Sequence, residues 1–110
     1  MRLAALALIA VLAGSSVALA AELRVDGSSE DAAYASLRAI QREHSNREIC
    51  LLQAAILRIA VGEKAKRDAA GVDPNAPVTP IVVTLNGLAY DEIIERSKGY
   101  PDKVTALCRD

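Results

Sequence analysis

The chain has few aromatic side chains: it contains no phenylalanine, no tryptophan and only three tyrosines. Proteins stack nucleobases, sugars and flat cofactors on aromatic rings, so this scarcity argues against sites of those kinds. The hydrophobic core must instead be built from Leu, Ile, Val and Ala. These side chains suit close packing between helices, and we expect an all-α domain of three main helices plus a short C-terminal one.

The chain also lacks an excess of either charge, because 13 basic residues are balanced by 14 acidic ones. A nucleic-acid-binding domain normally carries a basic patch and a high isoelectric point, so this balance argues against nucleic acid as the partner. The sequence contains no Gly-rich phosphate loop and no Walker or dinucleotide motif. We therefore predict no nucleotide and no other cofactor.

Histidine occurs once, at His44, which restricts the available acid–base and metal chemistry. Glu48 lies four residues further on, but two ligands are fewer than the three or four that zinc takes from a protein. Ser45 is adjacent in sequence and cannot align with the ring for in-line proton transfer, and no Asp or Glu is expected to hold that ring. We predict a histidine at a helix end, no metal site and no catalytic residue.

Two charged clusters are explained by the helix dipole, which favours acidic residues in a first turn and basic residues in a last turn. The acidic cluster is Asp91, Glu92 and Glu95, and the basic cluster is Lys64, Lys66 and Arg67. One alternative is that the basic cluster faces an acidic partner. Another is a small hydrolase using Asp91, Glu92 or His44, which predicts that these side chains converge in one pocket.

The amino terminus has the layout of a secretory signal peptide. Arg2 is positively charged, residues 3–13 are apolar without interruption, and small residues precede the predicted cut between Ala20 and Ala21. Before cleavage, residues 1–20 would form a detached helix. The alternative is an uncleaved membrane anchor, although the apolar stretch is only marginally long enough for a bilayer. No cysteine lies at the cut to carry a lipid, so we expect a soluble periplasmic or secreted protein without a membrane anchor.

Cleavage would leave a single domain of residues 21–110. Loss of Arg2 lowers the basic count from 13 to 12 against 14 acidic residues, a net charge of −2. Both cysteines, Cys50 and Cys108, lie in this part, and an even number in an oxidising compartment predicts a disulfide. The closed loop of about 59 residues contributes about 4 kcal/mol by the chain-entropy argument.

A first helix is predicted to begin at Ser28 or Ser29, which are both candidate N-caps, and to end at about Glu43. Four residues at helical spacing form its inner stripe: Ala33, Leu37, Ile40 and His44.

A second helix is predicted to begin at Ser45, whose spacing to Glu48 fits a capping box; one sharply kinked helix is the alternative. From 49 to 61 the second helix is apolar over most of its circumference, which places it at the centre of the bundle. Its outer face would carry Arg47, Ala54, Arg58 and Ala65.

Residues 71–80 hold three of the four prolines and predict an extended loop. A third helix is expected from about Tyr90 to Lys98, because Gly99 and Pro101 follow it, and Asp102 can cap a last short helix that includes Cys108. Residues 81–84 are β-branched, and together with Leu85 they could form a short strand. The segments around 25–31 and 85–91 are similar, and we interpret them as two ordinary helix entries. The alternative is that two extended stubs, 23–25 and 82–85, pair side by side.

Two segments carry a resemblance to a known family. Residues 25–30, Val-Asp-Gly-Ser-Ser-Glu, and residues 85–94, with Leu-Asn-Gly-Leu and Asp-Glu-Ile-Ile, resemble a family of small bacterial exported proteins, many of them lipoproteins. That family is known as a domain of unknown function, so the resemblance implies no activity and no catalytic residue. This chain lacks the family's lipobox cysteine and has Ala89 where a Thr cap is usual, so its third helix should start less firmly.

The layout of Cys50 and Cys108 is similar to that of a second family, the periplasmic immunity proteins that neutralise type VI secretion effectors. The leading functional hypothesis is a non-enzymatic exported protein that binds another macromolecule, with a protein as the expected partner. One alternative is an immunity or inhibitor protein against a periplasmic effector. Another is a carrier of apolar ligands, which predicts a sizeable apolar cavity beside the second helix. The partner and the oligomeric state stay open.

Overall fold

The computed structural model describes residues 22–101 and Cys108. This part of the chain forms four helices and no strand: α1 (Glu30–Gln41), α2 (Asn46–Ala69), α3 (Ile81–Thr84) and α4 (Tyr90–Ser97). The predicted all-α class is confirmed. The predicted signal peptide at 1–20, its cut at Ala20-Ala21 and a last helix starting at Asp102 lie outside the described residues.

The helices α1 and α2 are separate, and a serine caps each of them as predicted. Ser29 Oγ accepts a hydrogen bond from the Ala32 N–H at 3.0 Å. Ser45 Oγ accepts from the Glu48 N–H at 3.2 Å, and Glu48 Oε1 accepts from the Ser45 N–H at 2.8 Å, which completes the capping box. Residues 42–45 are not helical, so the alternative of one kinked helix is wrong.

The core is aliphatic, as the lack of phenylalanine and tryptophan predicts. Helix α2 packs on α4, and α3 packs on both α1 and α2. The largest fully buried side chains come from α1, α2, α4 and the residue that follows α3: Ile40, Leu52, Ile59, Leu85 and Ile93. The predicted stripe of α1 is confirmed at Ala33, Leu37 and Ile40, whereas His44 lies beyond the helix and is half-buried.

Residues 81–85, predicted as a short strand, form one helical turn with its closing residue. The Pro80 carbonyl accepts hydrogen bonds from the Val83 and Thr84 N–H groups at 3.0 and 3.2 Å. Proline suits this position because the first turn of a helix leaves its N–H groups unpaired anyway. The helical spacing brings both Val82 and Leu85 into the core, and this burial outweighs the β-propensity of the segment.

The stub at 23–25 pairs with residues 87–89 instead of with 82–85. The Val25 N–H donates to the Leu88 carbonyl at 2.9 Å, and the Gly87 N–H donates to the Val25 carbonyl at 2.8 Å. Gly87 has a φ of +84°, a left-handed conformation that favours glycine and that turns the chain back at Asn86-Gly87 as predicted. The predicted pairing partner is therefore wrong by a few residues, because 81–84 is helical.

The predicted outer face of α2 is wrong in part. Ala54 is buried, and the guanidinium groups of Arg47 and Arg58 donate to the carbonyls of Cys108 and Tyr100 at 3.1 and 2.8 Å. This side of α2 therefore contacts residues near the C-terminus. Arg47 and Ala65 of the predicted line are exposed, and Arg58 is half-buried.

The solvent-exposed face of α2 is apolar in part. Leu57 is 49% exposed and Val61 is 55% exposed, with Gln53 one turn before them. The exposed side of the helix therefore includes Leu57 and Val61, which the predicted outer face did not contain.

Cys50 and Cys108 form the predicted disulfide, with their Cα atoms 5.7 Å apart. The bond ties the first turn of α2 to Cys108, whose side chain is buried.

Candidate functional site

A groove of about 670 Å³ lies between the C-terminal half of α2 and the loop at 71–80, with α3 at its end. This volume falls within the range of about 300–1,000 Å³ that is typical of small-molecule sites. Its apolar lining comes from Ala60 on α2, Val72 and Val78 on the loop, and Ile81 on α3. A groove with a partly apolar lining therefore lies beside the second helix, where an apolar-ligand carrier would need its cavity.

The loop that forms one wall of the groove is shaped by local hydrogen bonds. Gly71 takes a left-handed φ of +74° after α2 ends, and the Val72 N–H donates back to the Arg67 carbonyl at 3.1 Å. Asp73 Oδ1 accepts from the Asn75 N–H at 2.9 Å. The loop therefore turns back along α2, with Val72 38% exposed and Val78 63% exposed.

The α2 side of the groove carries charged residues. Lys64 Nζ lies 2.9 Å from Asp68 Oδ2. Glu63 accepts a hydrogen bond from the Tyr100 hydroxyl and lies 3.5 Å from Lys66 Nζ. The hydrogen bond from the Tyr100 hydroxyl holds the pKa of Glu63 below its usual range. Burial opposes this effect, and Lys66 adds a smaller lowering of the same pKa. In the predicted basic cluster, Lys64 and Lys66 therefore form ion pairs, and Lys64 and Arg67 line the groove.

Tyr100 is a structural residue that the sequence analysis missed. Its ring lies over Gly62, where an added Cβ would overlap the ring atoms. Lys66 Nζ lies 4.8 Å from the ring centroid, and Arg58 Nε donates to the Tyr100 carbonyl at 2.8 Å. A glycine inside a long helix was the available signal, because such a residue often marks a close approach by another group.

A second cluster surrounds His44. Its ring stacks on Tyr90 with centroids 3.9 Å apart, and its Nδ1 lies 3.4 Å from Glu48 Oε1. The expectation that no carboxylate would hold this ring is wrong, because the capping box turns Glu48 back toward the residues before α2. The pKa of Glu48 is lowered mainly by the hydrogen bond from the Ser45 backbone. Burial raises the pKa of Tyr90, and the charge of Glu48 adds to that effect.

The depression beside His44 is small, about 230 Å³, and Asp91 lines it together with Tyr90. Glu92 is engaged elsewhere: its Oε1 accepts from the Ala89 N–H at 2.9 Å and from Arg24 Nη1 at 2.6 Å. Both contacts lower its pKa, the backbone contact more strongly. Ala89 has no side-chain acceptor, so α4 begins with half of a capping box. The three residues that a hydrolase would use are therefore only partly brought together.

In the described ranges 22–101 and 108, no three His, Cys, Asp or Glu side chains lie close enough together to hold a metal ion. Across the same residues, no helix has both the length and the apolar character needed to cross a bilayer. No protein-family model, curated protein or solved structure matches this chain. The two family resemblances stay predictions.

Proposed function

We propose that this chain is an exported binding protein that carries a small apolar or amphiphilic ligand in the groove between α2 and the loop at 71–80. The observation that supports the proposal is the groove itself, about 670 Å³ in volume and lined by aliphatic side chains from three elements. The signal-peptide pattern and the disulfide are typical of an exported protein.

The groove offers apolar surface that a ligand can remove from water. Val72 and Val78 are 38% and 63% exposed on its loop wall. An eight-carbon chain that buries about 200 Å² of apolar surface gains about 5 kcal/mol at about 25 cal/mol/Å². Because association also costs translational and rotational freedom, this gain sets about 0.2 mM as the tightest Kd expected from the alkyl chain alone. Proline residues restrict the loop before binding, which reduces the conformational entropy that binding must remove.

The test is a titration of the oxidised, isotopically labelled protein with 1-octanol, followed by backbone amide NMR shifts. The protein is expressed with its own leader and recovered after export. We expect saturable shifts at the residues that line the groove. Val78→Asp should abolish them, because it places a charge on the apolar wall. Leu57→Asp is the matched control, because Leu57 is also exposed but does not line the groove. Octanol shifts that do not saturate, or that persist in Val78→Asp, contradict the proposal.

A protein partner is the second candidate, and the exposed pair Leu57 and Val61 on α2 favours it. Adjacent exposed aliphatic residues on one helix face are a common feature of protein interfaces. A photo-crosslinking residue at position 57 should then give one discrete adduct in living cells, whereas one at Val78 should not. If the partner is a toxic effector, as the immunity resemblance predicts, the wild-type protein should rescue cells that co-express it and Leu57→Asp should not.

A further inference from the structure

The charged side chains that line the groove are paired with one exception. Lys64 pairs with Asp68, and Glu63 is held by Tyr100 and Lys66. Among the residues that the structure describes, none places a carboxylate within ion-pair distance of the Arg67 guanidinium. Arg67 is half-buried and belongs to the groove lining. Within the described residues, the groove wall therefore carries one guanidinium, that of Arg67, without a carboxylate at ion-pair distance.

Glu63 is the partner that Arg67 would be expected to have. It precedes Arg67 by four residues, and a glutamate in that position pairs well with a basic residue on a helix. The Tyr100 hydroxyl donates a hydrogen bond to a Glu63 oxygen instead, because the Tyr100 ring packs on Gly62, the residue directly before Glu63. Tyr100 thus acts as a positioning residue that leaves the five N–H donors of Arg67 available to a ligand.

We infer that the ligand of the groove is an anionic amphiphile whose single carboxylate pairs with Arg67 while its alkyl chain lies on Val72, Val78 and Ile81. The inference rests on the proposed function and specifies the chemistry of its ligand. A guanidinium matches a carboxylate with two parallel N–H donors. Glu63 and Asp68 line the same groove, and their charges disfavour a doubly charged phosphate relative to a carboxylate.

The test compares octanoate with 1-octanol at pH 7, by the NMR titration already described. We expect octanoate to bind about tenfold more tightly, a modest ratio because Arg67 is only half-buried. Arg67→Met should remove that advantage, so that the variant binds octanoate no more tightly than it binds octanol. Lys98→Met is the control, because it makes the same change of net charge at the far end of α4, where Lys98 Nζ lies 3.2 Å from Glu95 Oε1.

Two outcomes separate this inference from the proposed function. If octanoate and octanol bind with equal affinity, the carboxylate inference is overturned and the groove remains an apolar site. If neither ligand binds, both proposals are overturned. An octyl phosphate that binds more tightly than octanoate also overturns the choice of carboxylate.

Tyr100→Phe tests the positioning role, because it keeps the ring on Gly62 and removes only the hydroxyl. Glu63 can then turn to Arg67, so octanoate affinity should fall about threefold to tenfold while octanol affinity stays the same. Adding Glu63→Gln to this variant should restore octanoate binding. An equal change for octanol and octanoate would mean that Tyr100→Phe alters the shape of the groove, which overturns the positioning argument.

Discussion

Gly62→Ala is expected to destabilise the protein, although alanine is the better helix former. Gly62 lies inside α2 and is buried under the Tyr100 ring. An added Cβ would come within 2.8 Å of Tyr100 Cγ, closer than real Cβ atoms approach a neighbour. The ring must therefore move, together with its contacts to Glu63 and Lys66, and this movement disturbs the hydrogen bond from Arg58 to the Tyr100 carbonyl.

The expected magnitude follows from three contributions. Replacing glycine by alanine in a helix interior stabilises by about 0.5–1 kcal/mol. Overpacking at a filled site costs about 1–3 kcal/mol. Loss of the hydrogen bonds from Tyr100 to Glu63 and from Arg58 to the Tyr100 carbonyl costs about 1 kcal/mol each at most, since both are only part-buried. We expect Gly62→Ala to lower the free energy of unfolding by about 1–2 kcal/mol.

The measurement is urea unfolding followed by far-ultraviolet circular dichroism, because the chain has no tryptophan to report on folding. The matched background is Tyr100→Ala, in which the ring that clashes with position 62 is absent. There the helix propensity acts alone, so Gly62→Ala should stabilise by about 0.5–1 kcal/mol. The effect of one substitution thus changes sign between two backgrounds, with a coupling energy of about 2 kcal/mol.

Equal stabilisation of both backgrounds by Gly62→Ala would refute the predicted clash between position 62 and the Tyr100 ring. That result would mean that Tyr100 does not rest on α2 at position 62. It would also remove the physical basis for the positioning of Glu63 away from Arg67.

Replacing Cys50 and Cys108 together by serine should lower the free energy of unfolding by about 4 kcal/mol, because the bond closes a loop with a sequence separation of 58; a loss below about 1 kcal/mol in urea unfolding contradicts this. Ile93→Ala should cost about 3–4 kcal/mol, because Ile93 is 0% exposed, against a smaller cost for half-buried Ile94→Ala. The pKa of Glu48 is below its ordinary value of 4.5 in the folded protein, so ionised Glu48 stabilises the fold. This stabilisation is present above about pH 5 and is lost as the pH falls through the folded pKa. In Glu48→Gln, the free energy of unfolding should therefore fall less steeply as the pH is lowered below about 5. An unchanged pH dependence would contradict the stabilising role of ionised Glu48.

Local signals account for the parts of the fold that could be predicted. The serine caps at Ser29 and Ser45, the separation of α1 and α2, and the turn at Asn86-Gly87 each depend on a few neighbouring residues, and each is confirmed. The disulfide was predictable because the chain has only two cysteines.

Local secondary-structure propensity gave the wrong prediction where long-range packing was the stronger effect. Residues 81–84 are β-branched, yet they form a helical turn because Pro80 accepts its first hydrogen bonds and the helical spacing buries Val82 and Leu85 together. The stacking of His44 on Tyr90 could not be predicted from local sequence, because 46 positions separate the two residues.

The sequence by itself determined the helical class, the starts of α1, α2 and α4, the aliphatic core and the cysteine pairing, because composition and capping act within a few residues. Only the tertiary structure decided which side of α2 is covered, since its apolar residues run almost all the way round and identify no single buried face. The same holds for the groove. Its lining comes from α2, the loop and α3, and the state of Arg67 depends on a tyrosine 33 positions away that holds Glu63. Contacts between residues far apart in sequence decide which of several possible partners each side chain meets, and a local sequence pattern does not contain that information.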